Sequence, residues 1–154
     1  MVNVAGKNLA GQLFAEMTSG AGFDDNLSDG LLGLAYPASG GNGETPLFFN
    51  MYKQGLIPQP IFSFYLHPLA QPGKLKFGGA DTTEYIAPIT YTPVIEKYYW
   101  KFSVNSVNVL NTNICSSGCY AIADTGNTYI GDPSSYISKL NKLIGGTYND
   151  SIGS

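Results

Sequence analysis

Tyr120-Ala121-Ile122-Ala123-Asp124-Thr125-Gly126-Asn127-Thr128 runs along an apolar strand into a carboxylate, then at once into Gly and small polar residues. A strand ending this way delivers its carboxylate into a tight turn, where backbone N–H and hydroxyl donors orient it and favour its charged form. Two such carboxylates sharing one proton bind and activate a water, because proximity leaves an ionised base beside a protonated acid. A single aspartate cannot do this. Taken alone, Asp124-Thr125-Gly126 fits an ordinary turn or cap residue as well.

The chain around this stretch reads as mostly β. Ile61 to Leu66, Lys74 to Phe77 and Ile89 to Thr92 are short β-favouring runs, separated by turn signals such as Pro72-Gly73 and Gly78-Gly79. From Trp100 to Val109 apolar and polar residues alternate for most of the run, which predicts one long strand with a buried face in an antiparallel sheet. Two segments carry helix signals instead. Thr45 as cap, Pro46 at the first position and Gly55 as stop bracket a face of Leu47, Phe48, Met51 and Tyr52. Asp132, Pro133 and Gly145 bracket Tyr136, Ile137, Leu140, Leu143 and Ile144 in the same way. Both helices are short, and their apolar faces are expected to pack on a sheet.

With 154 residues, 12% of them charged, 19 Gly and 11 Tyr, the chain suits a loop-rich β protein with a sizeable core. The net charge of −3 and the scatter of eight Lys and Arg leave no basic patch for nucleic acid or an anionic membrane. No stretch approaches the roughly 20 apolar residues of a transmembrane helix. The single histidine, His67, sits in a turn with no acidic residue near it in sequence, and reads as an ordinary surface residue rather than a triad base. Cys115 and Cys119 close a small loop with a spacing unlike redox or zinc motifs, and two sulfurs with one distant His make a poor metal site. We read them as a structural disulfide, which together with sequons at Asn26 and Asn149 points to an oxidising compartment. The Gly-rich segments match neither a phosphate loop nor a dinucleotide fingerprint.

Cys115-x-x-x-Cys119, then Ala121-Ile122-Ala123-Asp124-Thr125-Gly126, then Pro133 opening a helix, resembles the second catalytic segment of the pepsin and cathepsin D family. Asp29-Gly30-Leu31-Leu32-Gly33-Leu34-Ala35-Tyr36-Pro37 resembles that family's first-lobe segment, in which two hydrophobic residues and a Gly thread beside the catalytic loop. Gln54 to Leu66, Phe77-Gly78-Gly79-Ala80-Asp81 and Tyr99-Trp100-Lys101-Phe102 look like further landmarks, in family order. The resemblance thins before Phe23 and after Gly145.

In each lobe of such an enzyme the Asp-Thr-Gly precedes its hydrophobic-hydrophobic-Gly partner, whereas here Leu31-Leu32-Gly33 comes far before Asp124. The two motifs therefore belong to different lobes. The resemblance implies an incomplete bilobal acid-protease fold: residues 1–82 as the rear of the first lobe, and 83–154 as an interlobe strand segment and the front of the second. Leu143-Ile144-Gly145 mimics the missing second motif but is read as a helix end.

The family implies a water activated between two aspartates, attack on a peptide carbonyl, and a cleft for bulky apolar side chains. Peptide or protein substrates and pepstatin-type inhibitors are the implied partners, with no metal or organic cofactor. Asp124 would be one of the pair, with Thr125 bracing the loop and Gly126 letting a donor approach; the other aspartate and the flap tyrosine would lie upstream of Met1. Leu31, Tyr99 and Ile122 match cleft positions. The implied location is secreted or lysosomal. Asn127 departs from the family's Ser or Thr, although an amide NH₂ with Thr128 beside it can also donate, and Ser28 replaces a usual aromatic. An aspartic endopeptidase, inactive as this fragment, is the first expectation. A non-catalytic pepsin-fold homologue acting as a secreted binder or inhibitor is the alternative, and a retroviral-type dimer is rejected because neither lobe is whole.

Overall fold

The computed structural model describes residues 1–19, 28–41, 43–68, 71–131 and 133–146. Contacts divide the chain into two units, Met1–Thr90 and Tyr91–Ser154. The sequon residues Asn26 and Asn149 and the expected cap Asp132 lie outside the described residues.

The first unit opens with a hairpin that the sequence reading did not anticipate, β1 (Val2–Val4) against β2 (Lys7–Leu9), in the register Val4↔Lys7. Its two-residue turn takes positive φ at both Ala5 (48°) and Gly6 (74°), the backbone twist that matches a hairpin's strands. Beyond the 3-10 turn Pro37–Ser39 comes α1 (Leu47–Lys53), followed by β3 (Phe62–Tyr65) and β4 (Lys74–Phe77), antiparallel with Phe62↔Phe77. Leu47, Phe48 and Met51 at helical spacing meet Leu9 and Ile57 to form the buried core. The Phe48 ring stands edge-on to Phe62 at 4.8 Å and Phe49 at 5.2 Å, and Phe77 stacks at 6.3 Å. Each such fully buried side chain stabilises the fold by about 1.5–3 kcal/mol.

Gly55, at φ 68°, turns the chain out of α1 while its N–H donates to Tyr52 O. Next to it, Gln54 joins the helix end to the hairpin: Ala10 N–H donates to its Oε1 (3.1 Å) and its Nε2 donates to Ala10 O (2.9 Å). Two expectations for α1 are corrected. Pro46 rather than Thr45 occupies the cap position, with no side-chain cap hydrogen bond; the Thr45 carbonyl instead accepts from Gln12 Nε2. Tyr52 is 47% exposed, since only Leu47, Phe48 and Met51 fall on the buried stripe.

The second unit is built on β5 (Val94–Lys97), β6 (Trp100–Val104) and β9 (Cys119–Ile122), an antiparallel sheet of order β5-β6-β9. Ile89 to Thr92, expected as a strand, has no ladder partner among the described residues; Tyr91 is 80% exposed and the strand begins at Val94. The long strand expected from Trp100 to Val109 is two pieces. It breaks after Val104, and β7 (Asn108–Val109) pairs with β8 (Thr112–Asn113) in a separate hairpin, turned through Leu110 at φ 51°. Asn105-Ser106 supplies two successive polar residues that leave the ladder readily, and the apolar positions change phase there, from 100, 102 and 104 to 107 and 109.

The Cys115–Cys119 disulfide is present, and Asn113 Oδ1 accepts from Cys115 N–H at 2.9 Å. Finally α2 (Ser134–Ile144) ends as expected at Gly145, in the left-handed region at φ 74°. It begins one residue later than expected, with Pro133 at the cap, and Tyr136 (39%) and Ile144 (61%) are exposed rather than packed.

Candidate active site

β9 delivers Asp124. Its register with β6, Lys101↔Ile122 through Val104↔Cys119, continues into a bond from Ala123 N–H to Trp100 O (3.2 Å), so the sheet holds the backbone up to the residue before the carboxylate. The ladder stops there. Asp124 Oδ1 accepts the N–H of Gly126 at 2.8 Å, an Asx-type turn in which the side chain caps its own loop. A Cβ built on Gly126 would stand 3.2 Å from that same oxygen, so a bare α-carbon is what lets the donor come so close. The carboxylate is otherwise exposed.

The remaining loop residues divide. Thr125 and Thr128 are exposed, and their hydroxyls make no hydrogen bond among the described residues. Asn127 uses its carbonyl oxygen to accept from Tyr129 N–H at 3.4 Å, while its Nδ2 lies toward Gly131. The amide therefore supports the next turn rather than donating to Asp124.

Tyr99 belongs to the two-residue turn between β5 and β6, where Lys97 pairs with Trp100. Extending the β6–β9 register by two places puts Tyr99 across from Asp124, a neighbourhood that linear spacing does not reveal. It is 45% exposed and meets Tyr98 edge-on at 4.7 Å. Ile122, opposite Lys101, is 49% exposed on the face that continues to Asp124. Asp124, Ile122 and Tyr99 are thus gathered at one end of one sheet. Leu31 belongs to the first unit, where it is 81% exposed and so is not a core residue. Among the described residues there is no group of three or more His, Cys, Asp or Glu placed to hold a metal ion.

The sequence-based reading missed the surroundings of Tyr120, on the same sheet face. Lys101 Nζ stands 5.1 Å from the Tyr120 ring centroid and pairs with Glu96 Oε2 at 2.7 Å. Alternation along Trp100-Lys101-Phe102 was the available signal, since it puts Lys101 on the open face.

Residues 1–154 match the family model described as eukaryotic aspartyl protease. The chain is 38% identical over 150 residues to cathepsin D of Dictyostelium discoideum, covering 94% of this chain and 39% of that protein. It is 36% identical to cathepsin E of Cavia porcellus over 154 residues (97% and 39%) and 41% identical to pepsin A of Canis lupus familiaris over 123 (79% and 32%). The chain thus spans about two-fifths or less of the length of these relatives.

Proposed function

We propose that this chain, which belongs to the eukaryotic aspartyl protease family, carries one of the two aspartates of an aspartic endopeptidase. Its mostly β structure with two short helices is a partial pepsin-like fold. In our reading residues 1–82 supply the rear of one lobe, residues 83–154 an interlobe strand segment and the front of the other, and the partner aspartate comes from a segment outside this chain. The observation that carries the reading is the seating of Asp124 at the end of β9, with Oδ1 taken by Gly126 N–H and the rest of the carboxylate open.

A carboxylate held this way has one oxygen committed to orientation and the other free to meet a water and a second carboxyl group. With the pair sharing one proton, the ionised member takes a proton from the water as it attacks the peptide carbonyl, and the protonated member donates to the carbonyl oxygen. The resulting gem-diol then collapses: the C–N bond breaks as the newly protonated carboxyl gives its proton to the leaving amine, and one hydroxyl proton of the diol returns to the other carboxylate, so the dyad again shares one proton. Tyr99 and Ile122, beside Asp124, offer apolar surface for the side chains flanking the bond, which fits substrates with bulky apolar residues and pepstatin-type inhibitors. The disulfide suits a secreted or lysosomal setting.

One observation favours a second reading. Asn127 directs its amide to the Tyr129 turn, leaving Asp124 with one hydrogen-bond donor among the described residues, the Gly126 N–H, where a catalytic loop benefits from more. A non-catalytic homologue acting as a secreted binding or inhibitor protein would tolerate this. Expression of the full-length gene product separates the two. Turnover of an apolar peptide, inhibited by pepstatin and abolished by Asp124→Asn, supports the enzyme; a folded product with no turnover supports the binder. Residues 1–154 alone should be inactive, and pepstatin-sensitive cleavage by the purified chain would overturn that.

A further inference from the structure

We infer that Tyr120 is a specificity-determining residue, favouring a bulky apolar or aromatic side chain at a substrate position remote from the scissile bond; this rests on the endopeptidase reading above. The register places Tyr120 opposite Ser103 and Ile122 opposite Lys101, so alternation puts Tyr120, Ile122 and Asp124 in line along one side of β9. The other side carries Trp100, Phe102, Val104 and Ala121, all partly buried, and is the packed one. The Tyr120 side is open, with Tyr120 at 69% and Ile122 at 49% exposure.

The chemistry of that open side is specific. The Lys101 ammonium sits 5.1 Å from the ring centroid of Tyr120, and its charge is met by Glu96 at 2.7 Å. The ammonium thereby biases the ring toward this placement, while the local charge is balanced. What Tyr120 offers a partner is an exposed aromatic surface beside a balanced charge pair, which discriminates for apolar contact rather than for a charged group. Tyr120 precedes Asp124 by four places, a span of about 13 Å at roughly 3.3 Å per residue. An extended peptide with its reacting carbonyl at Asp124 and its backbone along β9 therefore brings a side chain about four residues away onto the Tyr120 ring.

Two fluorogenic peptides differing only by Phe or Ser at the fourth residue from the cleaved bond, varied on each side in turn, test this with the full-length gene product. On one side the wild type should favour Phe by about three- to tenfold in kcat/KM, carried by KM. Tyr120→Ser should abolish that ratio and Tyr120→Phe retain it, with kcat unchanged and the melting temperature within a degree or two. An unchanged ratio in Tyr120→Ser overturns the inference, as does a large loss of stability, which would mean the ring is packed inside the whole protein. If neither peptide is cleaved, the endopeptidase reading fails on its own. Fluorescence anisotropy of the same peptides bound to the protein then decides Tyr120 separately: a Phe preference lost in Tyr120→Ser upholds it, and equal binding overturns it.

Discussion

Replacing Gly78 by Ala should destabilise the protein by about 3 kcal/mol, from two separable causes. Gly78 follows β4 at φ +88°, where an L side chain costs about 1–2 kcal/mol. A Cβ there would also fall 2.7 Å from Pro58 Cδ, 3.2 Å from Pro58 Cγ and 3.5 Å from Ile57 Cβ. Carbon atoms rest about 3.5–4.0 Å apart, so the overlap with Pro58 approaches an ångström. Neither side yields easily: Ile57 is 5% exposed in the core, and Gly78 N–H donates to Ile61 O at 2.7 Å. Overpacking of this kind adds about 1–3 kcal/mol. Gly6→Ala is the control, because Gly6 has φ +74° but nothing within 4 Å of a built Cβ, so it carries the backbone cost alone. Urea titrations of the full-length product should show a lower midpoint for Gly78→Ala than for Gly6→Ala at equal m, a difference of about 2 kcal/mol. Pro58→Ala in the Gly78→Ala background should recover much of that gap through pairwise coupling. Equal losses at Gly6 and Gly78 would refute the contact argument.

Gly126→Ala should lower peptide turnover about tenfold with little change in melting temperature, since its Cβ would press on Asp124 Oδ1 at 3.2 Å while Gly126 itself is exposed; undiminished turnover would count against the Asp124 seating. Cys115→Ser opens a loop of sequence separation 4 and should cost about 2 kcal/mol in a urea titration, the entropy of so short a closure. Thr83 donates to Asp81 Oδ1 from both its hydroxyl (2.7 Å) and its N–H (3.0 Å), holding the Asp81 carboxyl below its ordinary 3.8. Such a group contributes stability above the unfolded-state value and loses it as pH falls through the folded one. NMR titration should therefore find the Asp81 midpoint below 3.8, and Thr83→Val should raise it.

What the sequence made legible was whatever depends on neighbouring residues. The buried stripe of α1, the left-handed stop at Gly145 and the disulfide all follow from spacing and residue chemistry within a few positions. The Asp124 turn was legible for the same reason: Gly two places on supplies both the donor and the room for it. Pairing was harder. Ile89 to Thr92 has strand-like residues, yet a strand exists only where another backbone satisfies it. The break at Asn105 is marked only by a one-residue slip, since the period of two resumes at Val107 in the opposite phase as the chain leaves one ladder and enters another. Tyr99 beside Asp124 and Lys101 over Tyr120 depend on the β6–β9 register, which no single segment encodes. The amide of Asn127 carries both a donor and an acceptor, and only the position of Tyr129 N–H selected the acceptor.

The double bond pattern between Gln54 and Ala10 amounts to one rung of a β-ladder in which a side chain impersonates a peptide group. Such a rung has a polarity, with oxygen facing an N–H and nitrogen facing a carbonyl. Glutamate has the same shape but two acceptors, so exchanging that single nitrogen for oxygen would set like against like at 2.9 Å. The join between helix and hairpin is thus written in one atom, and it distinguishes two side chains that no measure of size or helix preference would separate.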